Sequence, residues 1–207
     1  MVSIKKIVGG YLRTNSYLIM SDIDKIAVLI DAGGGVDKID KYLTENGVKL
    51  VALLLTHGHF DHMTVTNKLK EKHGLKIYIH KADEVMLKDK SNLNCIPGLN
   101  VEKCDADILL NGGETLSFGE MSLKVMHTPG HSKGSVTYIL NDKFMFCGDT
   151  LFRESYGATH FPGGSMEEIK KSIRALFSLD GDYTVFCGHE SDTTLQYERQ
   201  HNPINYA

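Results

Sequence analysis

Thr56-His57-Gly58-His59-Phe60-Asp61-His62 places three histidines and an aspartate within six positions, 57 to 62. Directly before it runs Val51-Ala52-Leu53-Leu54-Leu55, without a polar side chain. An unbroken apolar run of that length reads as a fully buried strand. A buried strand that ends in imidazoles and a carboxylate is a rigid support with a polar site at its tip. Those side chains are metal donors, so the tip is expected to hold metal, two ions rather than one, and the chain to be a hydrolase.

The rest of the chain bounds that expectation. Its 207 residues are the length of one domain, residues 1–207, large enough to bury a core without disulfides. With 42% hydrophobic and 24% charged residues the composition is that of a globular protein. A net charge of −3 and the lack of a long basic run argue against nucleic acid and acidic membranes as partners. The longest apolar runs are too short to span a bilayer. Met1-Val2-Ser3-Ile4-Lys5-Lys6 lacks the apolar core of a signal peptide, so a cytoplasmic location is the expectation. Cys95, Cys104, Cys147 and Cys187 match no zinc-ribbon or redox spacing.

Read in order, residues 3–8, 16–20 and 26–30 are strands, the last ending at Asp31. Val36, Ile39 and Leu43 have helical spacing and Gly47 closes that helix. A strand over 49–55 leads into the histidine motif, and a helix over 64–73 follows it. Lys76–His80 reads as a strand. Residues 88–106 show no period, and a loop of that length is usually a lid or binding loop. Strands near 107–110, 115–118 and 122–126 precede the turn His127-Thr128-Pro129-Gly130-His131. Ser135–Leu140 and Lys143–Cys147 form a hairpin, followed by Gly148-Asp149. The spacing predicts a helix over 165–179, opened by a capping box of Ser165 and Glu168. A strand over 184–187 ends in Gly188-His189. A second capping box, Thr193 with Gln196, is expected to start a terminal helix.

The plan repeats faintly. In each half a strand ends in an aspartate (Asp31, Asp149), a helix follows, and the next strand ends in a histidine (His57, His189). Strands joined through helices are parallel neighbours, so these ends are expected to meet on one edge of the sheet.

Five imidazoles and two carboxylates then converge: His57, His59, Asp61, His62, His131, Asp149 and His189. Neutral imidazole and carboxylate suit Zn²⁺, with Fe or Mn also compatible. Seven donors exceed one tetrahedral ion and fit two divalent ions that share a carboxylate. Two ions about 3.5–4 Å apart can hold a bridging hydroxide at neutral pH and polarise a carbonyl, which favours hydrolysis over redox chemistry. Asp61 and Asp149 are the carboxylates given a catalytic role.

The Thr-His-Gly-His-Phe-Asp-His run, His-Thr-Pro-Gly-His at 127–131, Cys-Gly-Asp at 147–149 and Cys-Gly-His at 187–189 resemble the metallo-β-lactamase superfamily. Ile30-Asp31-Ala32-Gly33 extends the likeness to nearly the whole chain. Phe161-Pro162-Gly163-Gly164 and the tail from Thr193 to Pro203 resemble the short, single-domain glyoxalase II-type hydrolases. The resemblance implies an α/β fold, a four-layer αβ/βα sandwich. It implies that His57, His59 and His131 hold one ion, that Asp61, His62 and His189 hold the other, and that Asp149 bridges them. The implied reaction is hydrolysis of a small-molecule acyl thioester of the S-lactoylglutathione type. Hydrolysis of a lactone, another ester or a β-lactam on the same site is an alternative, as is a mononuclear-iron persulfide dioxygenase. The chain departs from the family at Gly157-Ala158-Thr159-His160, where an arginine and an aspartate are common, and at Glu190-Ser191-Asp192, where Gly-Pro is usual. The C-terminal helical extension of the longer glyoxalase II-type hydrolases is not expected here. These departures bear on the thiol half of the substrate and leave the donors intact.

Asp31 reads equally as an acceptor that orients a metal histidine and as a plain strand-end residue. Lys133, Lys143, Arg153 and Tyr156 are the polar groups available to an anionic substrate. His127 is expected to be structural or to support a ligand, and His160, His73, His80 and His201 to lie at the surface or at element ends. Cys147 and Cys187 read as small buried hydrophobes.

Overall fold

In the computed structural model, which describes residues 1–206, alternation along single strands shows how the layers are made. Strand β3 (Ile26–Ile30) points Ala27 and Leu29 to one side and Val28 and Ile30 to the other, all of them buried. Successive side chains leave a strand on opposite faces, so this strand is covered on both.

The first sheet contains β1 (Val2–Gly9), β2 (Thr14–Ser21), β3, β4 (Lys49–Leu54), β5 (Lys76–His80) and β6 (Ile108–Leu110), in that order. Its first two pairings are antiparallel; β3–β4, β4–β5 and β5–β6 are parallel. Helices α1 (Val36–Asn46), α2 (Phe60–Met63), α3 (Thr66–His73) and α4 (Lys90–Leu93) belong to this half. Ile39 and Leu43 of α1 and Leu69 of α3 pack on Ala27, Leu29, Leu50 and Leu53 to form the outer core.

The second half holds β7 (Thr115–Phe118), β8 (Met121–His127), β9 (Val136–Leu140) and β10 (Phe144–Gly148), a two-stranded ribbon of β11 (Leu151–Phe152) and β12 (Ser155–Tyr156), then α5 (Met166–Phe177), β13 (Thr184–Cys187), β14 (Thr193–Thr194) and α6 (Leu195–His201). Its sheet runs β14-β13-β10-β9-β8-β7, with β10 and β13 parallel. Tyr17, Val28, Ile30 and Leu54 of the first sheet meet Leu123, Tyr138 and Phe146 of the second in a central core. On the far face Met145, Cys147, Val185 and Cys187 receive Ile169, Ile173 and Leu176 of α5. The layers therefore run helix, sheet, sheet, helix, as expected. No helix among the described residues is long and apolar enough to cross a membrane.

The structure corrects three local readings. The helix expected over 64–73 starts two residues later, as α3, and a separate helical turn, α2, stands before it inside the histidine motif, with His62 N–H donating to His59 O at 3.1 Å. Asp61 and His62 thus stand on a helical turn, whereas His57 and His59 precede it. The terminal helix is capped by Thr194, whose hydroxyl accepts from Tyr197 N–H, rather than by Thr193 with Gln196. Thr193 lies in β14 and donates to Glu198 Oε1 at 2.6 Å. Residues 88–106 contain the single turn α4 and are anchored on the outer core by Leu93, Val101 and Cys104. Ser165 caps α5 by accepting from Glu168 N–H, the first half of the expected capping box; the second half does not form, because Ser165 N–H donates to Gly130 O and the Glu168 carboxylate accepts from Lys171.

Candidate metal centre

The parallel register explains why sequence-distant donors meet. Ile30 is level with Leu54 across β3–β4, and Gly148 with Cys187 across β10–β13. Asp31, His57, Asp149 and His189 follow these strand ends and converge where the two sheets open. Two glycines permit the approach. Gly148 has φ 50°, a left-handed conformation that favours glycine. A Cβ on Gly188 would collide with Asp149 Oδ1 and the ring of His62.

All seven predicted donors come together. Three overlapping groups form, His57/His59/His131, His57/His62/Asp149 and Asp61/His62/His189, each with donor atoms within 4.8 Å of one another. His59 Nδ1 lies 2.8 Å from His131 Nε2, and His62 Nε2 lies 3.3 Å from His189 Nε2. Asp149 sits between the groups: Oδ1 is 3.3 Å from His62 Nε2, and Oδ2 is 3.5 Å from both His131 Nε2 and His189 Nε2.

The partners behind the rings fix which nitrogen faces the centre. His131 Nδ1 donates to Ala158 O at 2.8 Å, leaving Nε2 with its lone pair inward. His62 Nδ1 donates to Asp31 Oδ2 at 2.8 Å, so the ring is held with Nε2 facing Asp61, Asp149 and His189. Thr56 Oγ1 donates to Asp31 Oδ2 and so accepts from His57 Nδ1 at 3.1 Å. His57 Nε2 is then an acceptor, and it is buried without a hydrogen bond, as is Asp149 Oδ1. Buried polar atoms are rarely left unpaired, because the desolvation cost of each is not recovered. Imidazole nitrogens gathered within hydrogen-bond distance of one another, with orphaned acceptors beside them, fit divalent cations.

Electrostatics agree. Burial, reinforced by the neighbouring imidazoles, holds His57 well below the usual histidine range and pulls His59 down to about 4, so both are neutral donors. Burial also opposes charge on His62, but Asp61, Asp149 and Asp31 overcome it and raise that imidazole. Asp149 is lowered against its own burial by His62, His131 and His189. Carboxylates gathered around His62 make a site that attracts positive charge.

Asp31, open between two readings in the sequence, contacts His62 directly and also accepts from Thr56 N–H at 2.8 Å. The four residues put forward for substrate do not line the chamber above the donors. Lys143 is in the hairpin turn at the opposite end of β10 from Asp149. Lys133 faces a separate hollow by Gly163 and Glu168. Arg153 lies over the Tyr197 ring, and Tyr156 packs against the α5-side core. Their charge or hydroxyl marked them in the sequence; strand direction and packing aim them elsewhere. His127 donates to or accepts from no donor residue: it stacks on the buried His80 at 4.1 Å and bonds Lys133 O. His160 is exposed, and Cys147 and Cys187 are core residues.

Sequence reasoning missed three supports. Thr14 Oγ1 donates to Asp61 Oδ2 at 2.9 Å. Asn92, from the 88–106 segment, donates to Gly58 O at 2.8 Å and accepts from Phe60 N–H at 3.2 Å. Asp83 ties two donor loops together, as argued below. None carries a motif; each is a lone polar residue, at the start of β2, in α4 and in the turn after β5, and only tertiary contact distinguishes it from a solvated one.

Comparison with known proteins agrees with this geometry. The chain is 35% identical over 202 residues to the hydroxyacylglutathione hydrolase GloC of Haemophilus influenzae, covering 93% of this chain and 92% of that protein. The crystal structure of the B3 metallo-beta-lactamase BLEG-1 matches with a TM-score of 0.92 at 33% identity, over 99% of this chain and all of that one. TTHA1623 in a di-iron-bound form matches with a TM-score of 0.85 at 31% identity, over 96% of this chain and 98% of that one. The model of the metallo-beta-lactamase superfamily matches residues 9–189. With that match spanning all seven donors, the chain belongs to the metallo-beta-lactamase superfamily.

Proposed function

We propose that the protein is a metal-dependent hydrolase of acyl thioesters that binds two divalent ions. His57, His59 and His131 would hold one ion and Asp61, His62 and His189 the other, with Asp149 placed between the two groups. The observation that carries this reading is the pair of orphaned buried acceptors, His57 Nε2 and Asp149 Oδ1, among inward-facing imidazole nitrogens. Bound divalent ions supply Lewis acidity and a water that ionises near neutral pH. The chain's own residues do the positioning. Asp31, Thr56 and Ala158 O fix the tautomers of His62, His57 and His131, and Thr14 holds Asp61. The thioester as substrate class is supported by the likeness to GloC, a hydrolase of that kind by name. The likeness to BLEG-1 favours β-lactam hydrolysis as the second reading. Zn²⁺ and Fe²⁺ both suit the donor set, and the di-iron relative keeps iron in view.

Purified protein is expected to contain two metal ions per chain and to hydrolyse S-lactoylglutathione or simpler acyl thioesters faster than a chromogenic β-lactam. Chelation should abolish turnover, and Zn²⁺, Fe²⁺ or Mn²⁺ should restore it. Turnover that survives complete metal removal would refute the assignment.

Asp31→Asn is expected to weaken metal binding by about 10–100-fold, read by competition with a chromogenic chelator. Asn tolerates the left-handed backbone of this position, where φ is 56°, so the fold should be kept. Unchanged metal affinity would show that the contact with His62 does not matter.

A further inference from the structure

The chamber over the donor cluster has a volume of about 320 Å³. Its walls are Leu12 from the β1–β2 turn, Phe60, Met86, Phe161 and Pro162. Leu12 and Phe161 are both 44% exposed, so the apolar surface continues to the rim. Outside the donors themselves, the chamber's only charged side chain is Asp89, held at the start of α4 by Ser91 N–H and Oγ–H at 2.9 Å. Among the described residues, no lysine or arginine lines it.

That lining is unsuited to glutathione, a thiol with two carboxylates and one ammonium. Its carboxylates would lose water against apolar walls without a cation to receive them, which is unfavourable. Asp89 would add repulsion. An adjoining hollow that shares Leu12 and His189 with the chamber is lined by Arg13, and Glu190 faces the same space.

We propose that this chamber selects thioesters whose body is uncharged and largely apolar, and disfavours glutathione as the thiol carrier. The proposal rests on the thioesterase reading above and narrows its substrate class.

Cys95 provides a test that does not depend on turnover. It is exposed and lines the chamber, whereas Cys104, Cys147 and Cys187 are buried. Iodoacetamide, a neutral reagent, should alkylate Cys95 selectively in the metal-loaded protein, with the site assigned by mass spectrometry. Two non-hydrolysable thioethers with the same alkyl group, S-butyl-N-acetylcysteamine and S-butylglutathione, then compete for the chamber. The neutral thioether should halve the labelling rate at a concentration about tenfold lower, equivalent to about 1.4 kcal/mol. Asp89→Asn, which keeps a capping side chain, should narrow that gap. Equal or better protection by S-butylglutathione overturns the proposal. If Arg13→Ala then removes that protection, the glutathione body lies in the adjoining hollow instead.

Acetyl thioesters of the same two thiols complete the experiment. A higher kcat/KM for the N-acetylcysteamine ester supports the proposal, and a higher value for the glutathione ester overturns it while leaving the thioesterase reading intact. Neither ester being turned over, with Cys95 still better protected by the neutral thioether, sinks the thioesterase reading and leaves the chamber's selectivity supported.

Discussion

Asp149→Ala is expected to lower thioester hydrolysis about a thousandfold, a loss of about 4 kcal/mol of transition-state stabilisation. It should also reduce metal content from two ions per chain to one. The reason is position. Of the two donor carboxylates, Asp149 approaches imidazoles of both triads, with Oδ1 near His62 and Oδ2 near His131 and His189, whereas Asp61 reaches only His62 and His189. Asp149→Asn separates charge from shape: it keeps one oxygen and the side-chain volume but removes the negative charge. Metal content by mass spectrometry, with kcat and KM measured separately, distinguishes the outcomes. An Asp149→Ala protein that retains two ions and ordinary turnover would rule out a shared ligand. Circular dichroism checks that lost activity is not lost fold, since the variant removes a carboxylate that lies against the buried His62.

How much of this was legible without coordinates depends on the kind of residue. The donors stand out because histidine is uncommon and here falls repeatedly just past apolar strands. Strand direction then forces those ends together, as Ile30–Leu54 and Gly148–Cys187 confirm. The same direction argument excludes Lys143, which precedes the strand whose far end carries Asp149. The wall of the chamber was not legible. Asp89, Asn92 and Cys95 come from a stretch with no period, and its placement is decided by Leu93, Val101 and Cys104 docking on a core assembled from other elements. The departure at 157–160 also proved less consequential for the metal site than its side chains imply. Residue 158 supports His131 through its carbonyl, which any side chain leaves in place.

Asp83 is the clearest case of a residue whose importance no spacing reveals. It follows β5 and is fully buried. Oδ2 accepts from Gly58 N–H at 3.0 Å and from Ser132 Oγ–H at 2.6 Å, and Oδ1 accepts from Gly134 N–H at 2.6 Å. Gly58 lies between His57 and His59, and Ser132 follows His131. One carboxylate thus joins the two loops that supply the first triad. Gly134 must be glycine for this contact, since a Cβ there would press on the Asp83 carboxyl at 2.7 Å. Hydrogen bonds to a charged acceptor are worth about 1.5–3 kcal/mol each, and leaving buried donors unpaired costs more than the bonds contribute. Asp83→Ala strands three donors at once, so we expect a loss of about 3–5 kcal/mol in unfolding free energy. For a chain of this size that is a fall in Tm of roughly 10 °C. Asp83→Asn keeps one acceptor and should lose less. Because the loops carry His57, His59 and His131, metal affinity should fall about 10–100-fold in both variants. The two readouts separate the causes. Lost stability with unaltered metal affinity would make Asp83 a core residue only, whereas weakened metal binding in the better-folded Asp83→Asn would show that it holds the two donor loops in register.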